Sequence, residues 1–215
     1  MVWFSLRVGI GDVNSVLGQQ RGKFMFRLMV GLGNPGATYR YTRHNLGSLA
    51  VETIADYYQA SWRIDKQWSA ETTKIAINGE EMVLMRPDVY MNNSGQAVGA
   101  WASYYQITPD QIVILHDELD LASLEIRGKL GGGLNGHNGL RSVANALGNK
   151  QNFARIRFGI GRPLSGEQVA DFVLGRLSGD ELLEWKKQFS LLVTVLPEWL
   201  VSGGQSSLVI KSVRD

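Results

Sequence analysis

The sequence contains no cysteine. That excludes a disulfide framework, a thiol nucleophile and any metal site built on thiolates. Histidine is scarce, with three in 215 residues, so a metal site would need carboxylates as well. No apolar run approaches the roughly 18 residues that cross a bilayer. The opening MVWFSLRVGIGDVNSVLGQQRGKFMF has neither the unbroken apolar core nor the small-residue cleavage site of a signal peptide. Residues 1–26 read as an extension outside the fold, since Met25 stands just before the first convincing strand. No serine occupies a G-x-S-x-G elbow, which leaves activated water as the natural nucleophile for a hydrolytic reaction. Acidic residues are missing from 126–166, a stretch that carries Arg127, Lys129, Arg141, Lys150, Arg155, Arg157 and Arg162. Such an excess fits a phosphate-rich partner or, equally, a solvated basic face balanced by the acids at 110–120.

What is present suits one domain. With 44% hydrophobic and 20% charged residues and a net charge of +2, the chain can bury one sizeable core. Residues 27–200 are expected to form that domain, with a polar, mobile tail over 201–215. Arg27–Gly33 reads as a buried strand with a glycine exit. Leu46, Leu49, Ala50, Thr53, Ile54 and Tyr57 fall on one face at helical spacing, which predicts a helix over 45–58 with Asn45 as N-cap. Residues 71–77 and 81–86 predict two strands joined through Asn78-Gly79. A helix over 95–105, a strand over 111–115, a strand over 124–129 and a helix over 140–147 follow. Over 153–160 apolar and basic residues alternate, which predicts a strand with Arg155 and Arg157 facing outward. Ser178 and Glu181 form a capping box that opens a helix running to about 195. Strands alternating with helices, plus one hairpin, predict a three-layer α/β/α fold around a mixed, mostly parallel twisted sheet.

Gly31-Leu-Gly33-Asn-Pro-Gly36 is a literal dinucleotide fingerprint. There, however, the helix must begin inside the glycine pattern, and Pro35 delays it to about Asn45. No nucleotide cofactor is expected, and no metal. The remaining chemistry rests on histidine, aspartate and amides. His44, at a helix start, reads as a neutral general base, because the helix dipole disfavours imidazolium. Asp117, at the exit of a central strand, can orient it. Equally open are a capping histidine and a solvated acidic loop. Asn34, Asn45, Asn92, Asn93 and Asn138 cluster in strand-end loops, where amides donate to a developing oxyanion or simply make turns.

Four segments in order, VGLGNPGATYRYTRHNLG, YMNNSG, HDELDL and GLNGHNGLRS, resemble the signatures of bacterial-type peptidyl-tRNA hydrolase, a similarity running from about Arg27 to Leu177. The resemblance implies hydrolysis of the ester between a peptide, or N-blocked aminoacyl group, and the 3′ ribose of tRNA, in the cytoplasm, with peptidyl-tRNA as partner and a monomer as default. It implies that His44 activates water, that Asp117 keeps it basic, and that Asn34 helps distinguish the N-blocked substrate. Asn92 and Asn138 would bind the peptidyl main chain and the tRNA 3′ end. Tyr39, Tyr90 and Met91 match substrate contacts and the cleft wall, and Lys129 and Arg157 match positions associated with the tRNA 5′ phosphate. One departure stands in the glycine-rich loop, where Leu134 and Asn135 replace the histidine and glycine of many members.

Overall fold

The computed structural model describes residues 25–163 and 166–211. Eight strands form one sheet: β1 (Leu28–Gly31), β2 (Arg63–Asp65), β3 (Ala70–Ile77), β4 (Glu80–Pro87), β5 (Ile112–Glu118), β6 (Ile126–Leu130), β7 (Ala154–Gly159) and β8 (Val209–Ile210). Their order is β2-β3-β4-β1-β5-β7-β6-β8. The inner strands β4, β1, β5 and β7 are mutually parallel, and the flanks are antiparallel. All seven residues of β5 and all four of β1 are buried. Continuous apolar runs of this kind fit only strands covered on both faces.

Helices α1 (Leu46–Tyr57) and α5 (Gly179–Val201) cover one face, packing on Val113, Leu115, Ile156 and Phe158. Helices α2 (Ser94–Tyr104) and α3 (Asn138–Ala146) cover the other, packing on Leu28, Val30, Ile112 and Ile114. Alternate residues of one strand thus serve opposite layers, and the sheet with its two helical layers makes the expected sandwich. The short α4 (Val169–Leu174) was not anticipated, nor was β2. The Asn-Gly hairpin is present, with φ of 53° at Asn78 and 85° at Gly79, the left-handed pair that a tight hairpin turn requires.

Three expectations need correction. Residues 1–24 lie outside the described residues, but Phe26, assigned to the extension, is 1% exposed and stacks on Trp199 at a centroid distance of 5.8 Å. The fold therefore includes it. The tail does not run free from 201, because Val209 and Ile210 pair with Arg127 and Ile126 while Leu208 and Ile210 are buried. Two inward side chains at period 2 suffice to dock so short a strand. Arg155 does not face outward: it is 2% exposed, because its guanidinium is consumed by the carbonyls of Gly132 and Gly133.

Candidate active site

The carboxyl ends of β1 and β5 lie side by side, and each opens into a polar loop. This is where open α/β sheets place ligands. After β1 the chain turns through residues 32–42 into a 3₁₀ turn, Arg43–Asn45, which leads directly into α1. Gly47 lets α1 settle on the sheet, since a Cβ there would collide with the Leu115 carbonyl. That close approach brings His44 over the end of β5.

Asp117, 4% exposed, is the hub. His44 Nδ1 and Asp117 Oδ1 are 2.9 Å apart, and His137 Nε2 lies 3.1 Å from the same oxygen. His116 Nδ1 meets the Asp117 carbonyl at 2.6 Å. All three histidines of the sequence thus gather on one aspartate. A carboxylate only accepts, so His44 donates through Nδ1–H and keeps Nε2 as its basic nitrogen. His137 Nδ1 accepts from Leu140 N–H as the N-cap of α3, which leaves its ring proton on Nε2, facing Asp117.

Burial would lift the Asp117 pKa, but attraction to His44 and His137 and their hydrogen bonds hold it well below the usual carboxylate range. For His44, burial pulls downward, while the Asp117 charge and hydrogen bond outweigh it, and the net shift is upward. The nearby carboxylate therefore raises the basicity of this ring. His116 goes the other way: complete burial, reinforced by His137, lowers its pKa far below the imidazole norm. Ligand atoms of His44, Asp117 and His137 lie within 4.8 Å of one another, the one group among the described residues spaced to hold a metal ion. Hydrogen bonds already span it.

A cleft of about 600 Å³ opens over this hub, lined by Asn34, His44, Met91, Asn92, Asp117, His137 and Asn138, with an apolar wall from Leu119 and α4. Asn34 is clasped from behind: its N–H donates to Asn45 Oδ1 and its carbonyl accepts from Asn45 Nδ2, both at 2.9 Å. Asn34 Oδ1 in turn accepts from Met91 N–H at 2.8 Å, which leaves Nδ2 as its free donor among the described residues. Asn45 stands as N-cap of α1 without capping through its side chain, because the amide is spent on Asn34. Of the five asparagines, then, Asn34, Asn92 and Asn138 line the cleft, Asn45 is scaffolding, and Asn93 stays outside. Buried Met91 forms part of the wall. Tyr39 and Tyr90 meet edge to face at 6.3 Å but do not line the cleft.

The basic stretch becomes a ribbon. In the β6–β7 register Arg127 faces Arg157 and Lys129 faces Arg155, so four cations share one side of the two strands. Most are answered locally. Arg127 pairs with Glu125 at 2.6 Å, Arg162 with Asp120 at 2.5 Å, and Arg157 lies 3.9 Å from buried Glu118. Burial, the neighbouring Arg157 and, in the opposite sense, Glu118 bring the Arg155 pKa down to about 10. Lys129, Arg141 and Lys150 make no ion pair among the described residues, and Lys129 lies exposed beside Gly132. Lys129 and Arg157 are thus diagonal neighbours rather than a facing pair. Asn135, at φ 46°, donates its amide to Glu118 at 3.2 Å, so the unusual loop sequence is fastened to the end of β5.

Two residues escaped the sequence reading. His137 sits in the quoted GHNG segment but carries no spacing signal toward Asp117. Glu118, next to Asp117, reads from sequence as another acid in a solvated loop, whereas it is 4% exposed.

The chain is similar to known proteins over most of its length. Residues 28–213 match the family model described as peptidyl-tRNA hydrolase. A peptidyl-tRNA hydrolase of Pseudomonas fluorescens is 44% identical over 188 residues, covering 87% of this chain and 96% of that protein. One from Mycolicibacterium smegmatis is 48% identical over 157 residues, covering 73% and 82%. The crystal structure of peptidyl-tRNA hydrolase from Acinetobacter baumannii superposes with a TM-score of 0.77 at 40% identity, covering 84% of this chain and 90% of that one.

Proposed function

The chain belongs to the peptidyl-tRNA hydrolase family, and on that premise we propose that it hydrolyses the ester between a peptide and the tRNA 3′ ribose with His44 as general base. It thereby recycles tRNA from peptidyl-tRNA in the cytoplasm, where translation leaves that substrate. The observation that carries the assignment is the single Asp117 oxygen that fixes His44 Nδ1–H at 2.9 Å and so commits Nε2 to the cleft.

Nε2 takes a proton from water as the water oxygen attacks the ester carbonyl. Asp117 stabilises the resulting imidazolium. Negative charge then develops on the carbonyl oxygen, and amide donors meet it without placing a full charge in the cleft. The free Nδ2 of Asn34, with Asn92 and Asn138, supplies such donors and pairs with the acyl main chain. When the tetrahedral intermediate collapses, the C–O bond to the ribose breaks and His44 returns its proton to the 3′ oxygen. The products are a peptide carboxylate and a free tRNA end. His137 holds Asp117 from the second side, Met91 supports the wall, and Tyr39 and Tyr90 form an aromatic contact on the approach. Lys129 and Arg157 take the 5′ phosphate of the acceptor stem, with Lys129 the more available of the two.

The test is a comparison of N-acetyl-aminoacyl-tRNA with unblocked aminoacyl-tRNA, for the wild type and for His44→Ala. The wild type should cleave the blocked substrate selectively, and the variant should lose about 10²- to 10⁴-fold in rate with the fold intact. Binding without cleavage would instead identify an RNA-binding module, and equal action on simple esters a general esterase. Near-normal turnover by His44→Ala would remove it as the base.

A further inference from the structure

Asn135 stands in the glycine-rich loop between β6 and α3, where many family members carry glycine. Its φ of 46° is left-handed, a conformation that asparagine tolerates better than most side chains and that glycine adopts freely. Asparagine adds what glycine lacks, a side-chain amide: Nδ2 donates to Glu118 Oε2 at 3.2 Å and lies 3.4 Å from Oε1. We propose that Asn135 is a positioning residue, whose bond to Glu118 latches the loop and thereby fixes His137 and Asn138 over the cleft. The proposal rests on the hydrolase reading above and adds to it a residue that acts through its neighbours.

The loop is fastened in two halves. Gly131 N–H donates to the Phe153 carbonyl at 3.1 Å, and Arg155 takes the carbonyls of Gly132 and Gly133. The second half closes on itself, with His137 N–H donating to the Leu134 carbonyl at 2.9 Å. Among the described residues, the Asn135 amide makes the only hydrogen bonding that ties residues 134–136 to the sheet. Two rungs therefore join this segment to consecutive residues of β5: Asn135 to Glu118, and His137 to Asp117. A single rung would let the His137 ring swivel about Asp117, whereas two fix its direction as well as its distance.

The anchor itself is firmly held. Buried Glu118 accepts from Asp120 N–H at 3.2 Å and lies 3.9 Å from Arg157. A hydrogen bond to a carboxylate is roughly twice as strong as one between neutral groups. The loop leads directly into α3, whose first residue, Asn138, lines the cleft. Gly139 in the same turn packs so closely on Met91 that a Cβ there would collide with Sδ. With Asn135 released, residues 134–136 hang between Arg155 and the N-cap of α3, and their motion passes to His137 and Asn138.

Asn135→Gly keeps the backbone conformation and removes the bond, while Asn135→Asp keeps the shape and sets a second carboxylate against Glu118. Cleavage of N-acetyl-aminoacyl-tRNA by both variants and the wild type tests the latch, with pH profiles and melting temperatures alongside. Asn135→Gly should lower kcat about three- to tenfold with KM within about twofold, since a misplacement of about 1 Å can cost about 10²-fold. Asn135→Asp should lower kcat further, through repulsion between like charges. The rising limb of kcat/KM should move to higher pH in Asn135→Gly, because an Asp117 less engaged by His137 leaves more of its charge to His44. A lower melting temperature with kcat and limb unchanged would make the bond merely structural and overturn the proposal. A raised KM at unchanged kcat would also overturn it, as the mark of a direct substrate contact, and so would identical kinetics in all three proteins. Asn135→Gly alone decides the question if the aspartate variant does not fold. Absence of cleavage by the wild type would overturn the hydrolase reading itself, whereas an active wild type beside insensitive variants overturns the latch alone.

Discussion

Replacing Asp117 by asparagine is the most informative single change, because one atom there meets two histidine rings. The substitution keeps the shape and removes the charge. His44 Nδ1 at 2.9 Å and His137 Nε2 at 3.1 Å then face a neutral amide instead of a carboxylate, and both charge-assisted bonds weaken by about half. In the wild type the Asp117 charge overcomes the burial of His44 and holds its pKa above the ordinary 6.5. Without that charge burial, the larger effect, outweighs the remaining hydrogen bond, and the shift reverses sign. The rising limb of kcat/KM against pH, which reports the free enzyme's base, should therefore move from above 6.5 to below it. The plateau should fall about 10²- to 10⁴-fold, or about 3–5 kcal/mol of transition-state stabilisation. Stability gives a second readout. A carboxylate depressed on folding contributes stability that is present above its unfolded pKa near 3.9 and lost as pH falls toward the folded value. The variant should be less stable than the wild type at neutral pH, yet decline less steeply between about pH 5 and pH 2. An unmoved limb with a plateau within about threefold of the wild type would refute the role given to Asp117.

Lys129→Ala should weaken tRNA binding and reduce the slope of log K against log salt by about one, a change that titration at several salt concentrations measures. An unchanged slope would remove Lys129 from the phosphate contact. Arg157→Ala should lower the slope less and destabilise the fold as well, since Glu118 then loses its nearby cation. Truncation before Gln205 should cost about 3–6 kcal/mol, an upper estimate, by removing the buried Leu208 and Ile210 and baring the apolar surface they cover. A melting temperature within about 2 °C of the full chain would show that β8 contributes nothing.

The fold is most legible in the sequence where one physical signal dominates. Helical spacing located α1 to within a residue or two, and the unbroken apolar run located β5. The Asn-Gly pair located the hairpin because few sequences tolerate two consecutive left-handed residues. His44 and Asp117 were legible as residue types suited to base chemistry beside strand ends. Their contact was not, because the two are 73 positions apart and only the packing of α1 on β5 joins them. His137 went unseen for the same reason. The alternation at 153–160 misled over Arg155, since a cation can be buried when backbone carbonyls are folded back over it, and only the closed glycine loop supplies them. Likewise Asn45 looked like a cap, but in three dimensions a better partner, Asn34, takes its amide.

The shared Asp117 oxygen also constrains how the molecule can move. Through His44 it reaches the segment entering α1 on one face of the sheet, and through His137 it reaches the N-cap of α3 on the other. Spreading those two helices would pull at least one ring from the carboxylate, so the hub resists widening. One oxygen atom thus ties the two helical layers to each other across the sheet.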